Sequence, residues 1–147
     1  MSRERILKIL RTTSAWLFWP GLALVIWGSL TPAPPQLPGP WAWDKMDHGT
    51  AYFGLAAMAT MVIGLRPRLF WAILSLIVLS AVLESLQGYT GRDPDIHDVI
   101  ANSIGALAGL AVAALFWRFL ATGREERSAR GRQNRPVDGF ERRTPGA

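Results

Sequence analysis

The chain contains no cysteine, which excludes a disulfide framework, a thiolate metal site and a cysteine nucleophile. That absence leaves the compartment open, because helices in a bilayer need no such staples. Polar residues are missing over long stretches as well: between Leu69 and Leu83 only Ser75 and Ser80 interrupt an apolar run. A soluble core helix would carry a polar face at helical spacing, so this segment is not one. The net charge of +5 comes with no nucleic-acid motif and no basic groove interleaved with aromatics, which argues against nucleic acid as a partner. The first apolar run also lacks a cleavage signal. It is long, bears tryptophans and is followed by Thr31-Pro32-Ala33-Pro34-Pro35, so an uncleaved first helix is expected rather than a signal peptide.

What is present is four apolar blocks, at residues 15–30, 48–65, 69–87 and 98–120. Each is close to the roughly 20 residues that cross about 30 Å of hydrocarbon as an α-helix. The expected fold is an all-α membrane protein, a bundle of four transmembrane helices (residues 15–120) between a basic segment (1–14) and a basic tail (121–147). Arg3, Arg5, Lys8 and Arg11 precede the first block, Arg66 and Arg68 fill the second connection, and eight arginines run from Arg118 to Arg143. Only Lys45 and Arg92 lie in the other two connections. This asymmetry predicts that both termini are cytoplasmic. Composition predicts disorder for the tail, and five prolines between Thr31 and Pro40 predict a stiff extended connector. Pro20 is expected in the first turn of the first helix.

The polar residues gather at the opposite, outward ends. Asp44, His48 and Tyr52 recur at every fourth position and share one helix face. Glu84 and Gln87 lie on one face near the end of the third block, and Gly88 to His97 form a turn-rich loop. Asp98 is the expected N-cap of the fourth helix, with Asn102 one turn below. Ala56, Thr60 and Gly64, and likewise Ala101, Gly105, Gly109 and Ala113, form stripes of small residues suited to close helix packing. Charged and amide groups at that depth are expensive and need partners or a role. An outward-facing polar pocket is therefore expected, lined by Asp44, Lys45, His48, Tyr52, Glu84, Gln87, Arg92, Asp95, Asp98 and Asn102.

Taken together, Asp44-Lys45-x-x-His48, Glu84-x-x-Gln87, Arg92-x-x-Asp95-x-x-Asp98 and Asn102-x-x-Gly105-x-x-x-Gly109 closely resemble the signature of the VanZ-like membrane proteins. The resemblance covers about residues 15–120. It implies a small multi-pass protein of the bacterial inner membrane, in a family named after an accessory protein of glycopeptide-antibiotic resistance. Two features depart from the family pattern: Gly91 stands where a proline often precedes the arginine, with Pro94 after it, and His97 stands where an acid or a variable residue is usual.

Three readings of the site stay open. The first is a binding or accessory protein of the cell envelope, with membrane lipids and an envelope lipid or protein as partners. The second is an enzyme on a lipid-linked or phosphate-bearing substrate, with Lys45 and Arg92 holding an anionic head group and His48, Glu84 and Asp98 as candidate catalytic residues. In a variant of it, His48, Glu84, Asp95 and Asp98 bind a divalent magnesium, manganese or zinc ion. The third is structural, with Glu84, Arg92, Asp98 and Asn102 tying two helices together.

Overall fold

The computed structural model describes residues 3–32 and 41–133, with side chains over 4–32 and 45–120. The Pro-rich connector 33–40, the Asp44 side chain and residues 134–147 lie outside the described residues. Four helices run in order: α1 (Arg3–Leu30), α2 (Trp41–Ile63), α3 (Pro67–Gln87) and α4 (Ile96–Gln133). A single 3-10 turn, Gly88–Thr90, follows α3, and no strand occurs among the described residues.

By length and apolarity three of these helices can cross a membrane, over Glu4–Leu30, Pro67–Thr90 and Ile96–Leu120. The fourth, α2, falls outside that group because its first turns carry Lys45, Asp47 and His48. It is nonetheless the central helix. Tyr52, Leu55 and Ala56 of α2 form the core with Leu69, Ile73 and Leu76 of α3 and Ala106 of α4. Phe18, Leu22 and Val25 of α1 pack against that cluster from one side. Large apolar side chains such as Trp16, Leu24, Phe70 and Leu115 point outward, as they must where the surroundings are lipid rather than water.

The joint between α2 and α3 follows from its sequence. Gly64 closes α2 with φ at 70°, a left-handed conformation that only glycine adopts without strain, and its amide donates to the Thr60 carbonyl at 2.9 Å. A Cβ there would also meet the Trp117 ring at 3.0 Å. Arg66 is extended because it precedes Pro67, which opens α3 at a position where a missing N–H costs nothing. Arg11 ties α1 to the same end: its guanidinium donates to the Val62 carbonyl at 3.1 Å and lies 5.9 Å from the centre of the Trp117 ring.

The small-residue stripe of α4 is a packing seam. A Cβ on Gly105 would strike the Gly49 carbonyl, and one on Gly109 the Phe53 carbonyl. Backbone therefore meets backbone between α2 and α4, the closest packing two helices can reach.

The fold corrects three expectations. The first helix begins at Arg3, not at Ala15, so Pro20 sits inside it rather than in its first turn. Residues 3–14 of the basic segment are part of that helix. The last helix carries on to Gln133, so residues 121–133 are helical where disorder was expected. Alanine, glutamate, glutamine and arginine are good helix formers and extend a helix already nucleated in the bilayer. Finally, Asp98 is not the N-cap of α4; that role belongs to Asp95.

Candidate functional site

The chain reverses from α3 into α4 around Asp95. Its Oδ1 accepts the His97 amide at 2.9 Å, and its own carbonyl accepts the Asp98 amide at 2.9 Å. This is an N-cap, with the side chain taking up a helix-end donor that would otherwise be unpaired. His97 reinforces it, its Nδ1 lying 2.6 Å from the same Oδ1. His97 itself is exposed, so it acts as a buttress for Asp95 at the rim.

Relieved of capping, Asp98 turns inward and is 5% exposed. Lys45, from the first turns of α2, bridges both carboxylates, with Nζ 2.6 Å from Asp95 Oδ2 and 2.8 Å from Asp98 Oδ1. The two aspartates, first Asp95 and then Asp98, hold the Lys45 ammonium well above its ordinary value of 10.5. Conversely, Lys45 and then the His97 amide hold the Asp95 carboxyl well below its ordinary 3.8.

Behind this bridge lies a buried polar layer. Glu84, in the last turn of α3, accepts the Asp95 amide on Oε1 at 2.6 Å and sits within the fields of Asp98, His48 and Arg92. Arg92 is half-buried in the loop, and its amide donates to the Gln87 carbonyl at 3.2 Å. Gln87 is almost wholly enclosed. One turn before Glu84 on the same face, Ser80 accepts a hydrogen bond from Asn102 Nδ2 at 2.8 Å. Tyr52, 1% exposed, places its hydroxyl beside Ser80 and near Glu84, yet closes no hydrogen bond of good geometry. Asn102 Oδ1 is likewise buried without a hydrogen-bond partner.

Of the residues named from sequence, the structure places Lys45, His48 and Tyr52 of α2, Glu84 and Gln87 of α3, Arg92 and Asp95 of the loop, and Asp98 and Asn102 of α4 in one polar cluster. Ser80 was missed from sequence. It looked like a lone hydroxyl in an apolar run, but its spacing of four from Glu84 marks the same face. Among the described residues no group of three or more histidine or acidic side chains is placed to hold a metal ion. The reason is visible in the bonding, since Asp95 and Asp98 face Lys45 while Glu84 takes up a backbone amide.

No curated protein matches the chain, and no solved structure does. The VanZ/LLP1 family model matches residues 9–117, a span that holds the lysine bridge, the Glu84 clamp and the glycine seam together. This chain belongs to the VanZ/LLP1 family.

Proposed function

We propose that this is a multi-pass protein of the bacterial inner membrane that binds an envelope component at an outward-facing polar site, as an accessory to glycopeptide-antibiotic resistance rather than as a catalyst. All four helices span the membrane, α2 shielded by the other three, and both termini are cytoplasmic. Arg11 in α1, Arg66 and Arg68 at the start of α3, and Arg118 in α4 all belong to the end opposite the site, which supports that orientation.

The observation that carries the binding reading is the buried polar layer of Tyr52, Ser80 and Asn102, in which Tyr52 OH and Asn102 Oδ1 close no hydrogen bond of good geometry. Buried polar atoms of this kind are uncommon and call for a polar partner, which a bound head group could supply. The bonding of Lys45 weighs against the enzyme reading, because two carboxylates already neutralise the ammonium that would hold a phosphate.

Glycopeptide susceptibility of cells expressing Glu84→Gln, Asp98→Asn or His48→Gln tests this reading. Loss of protection with normal amounts of protein in the membrane is expected. Retained protection in all three variants overturns it, and depletion of the folded protein assigns the network to holding the bundle together.

A further inference from the structure

Along the seam where α2 and α4 touch, the glycines leave a trough on the outer surface of the bundle. It is a shallow groove, open along its length, of about 450 Å³. Met46, Gly49, Phe53, Ile104 and Gly105 line it. The outward end stops at Lys45, where the ammonium meets Asp95 and Asp98. An apolar channel thus leads from the lipid-facing flank to a charged terminus at the depth of the head groups.

The charge at that terminus selects the occupant. One ammonium faces two carboxylates, with Glu84 and Arg92 offsetting each other behind them, so acid exceeds base at this rim; Asp95 also meets His97 Nδ1, and its side chain is 41% exposed. An anionic lipid head would be repelled, whereas a primary ammonium would complete the network with a charge-assisted hydrogen bond. We propose that the groove between α2 and α4 holds one acyl chain of an outer-leaflet aminophospholipid whose ammonium docks on Asp95 beside Lys45. This rests on the outward-facing binding reading and names a lipid for it.

The test is native mass spectrometry of the full-length protein in mild detergent, with phosphatidylethanolamine and phosphatidylglycerol supplied in equal amounts. Wild type retains phosphatidylethanolamine in preference by about fivefold, a difference one charged contact readily supplies. Asp95→Asn keeps a good N-cap but removes the excess charge, so the two lipids are then retained equally. Ile104→Trp, at a position 63% exposed, fills the groove without touching the core and lowers retention of both lipids. Equal retention by wild type, a preference unchanged by Asp95→Asn, or retention unchanged by Ile104→Trp overturns the proposal. If any of these occurs while Glu84→Gln still abolishes protection, the lipid assignment fails and the binding reading stands.

Discussion

α1 and α2 are opposites in how apolarity relates to burial. α1 qualifies as a span on length and apolarity, yet only 6% of its most apolar window is buried within the protein. Its tryptophans at 16, 19 and 27 are all exposed. α2 does not qualify, yet it supplies Tyr52, Leu55, Ala56, Ala59, Thr60 and Met61 to the interior and Lys45, His48 and Tyr52 to the site. Hydropathy reports what a helix shows to lipid. A helix wrapped by its neighbours is free to carry polar groups, provided they find partners.

That contrast can be broken most sharply at the seam. Gly105→Leu drives a side chain into the Gly49 carbonyl, and two backbones in contact have nowhere to yield. A loss of more than about 3 kcal/mol is expected, read as disappearance of folded monomer in detergent size-exclusion chromatography. Lys45→Met should cost about 1–3 kcal/mol, because it strips the buried Asp98 of its cation while part of the bridge remains open to water. Thermal unfolding in detergent measures it.

The same bridge has a pH signature. Asp95 is held below 3.8, so its stabilisation is present above that pH and fades as acid titrates the folded carboxyl. Lys45 is held above 10.5, so its share is present below that pH and fades as alkali titrates the folded amine. Stability from this pair is flat between the two values and falls at both ends, and Lys45→Met should flatten both limbs in melts across pH. Ser80→Ala, which leaves Asn102 Nδ2 without its acceptor, should cost about 1 kcal/mol in the same assay. Trp16→Leu on the exposed flank of α1 should change stability by less than about 0.5 kcal/mol. An effect at Trp16 as large as that at Ser80 would erase the distinction between the lipid-facing flank of α1 and the buried polar layer that α2 lines.

Much of this was legible from local pattern. The apolar blocks located the helices, and the stripe from Ala101 to Ala113 announced the seam. The errors fell where two local solutions were equally good. Asp95 and Asp98 both stand where an N-cap fits, and only the position of Lys45, fifty residues earlier, decides which one caps and which one pairs. Residues 121–133 read as polar and loose, but a helix emerging from a bilayer is already nucleated and continues through fair helix formers. Ser80 could not be told from Ser75 by composition. Ser75 bonds its own helix at the Trp71 carbonyl, while Ser80 faces Asn102.

The clamp between Glu84 and the Asp95 amide has a consequence for length rather than for charge. A carboxylate at the end of one helix grips the main chain at the start of the next, eleven residues on, and closes the outer connection into a ring of fixed circumference. Adding or removing a residue between Gln87 and Asp95 would leave the composition of the site intact while moving Asp95 away from both Glu84 and Lys45. Loop length here is therefore as much a specification of the site as the identity of any side chain in it.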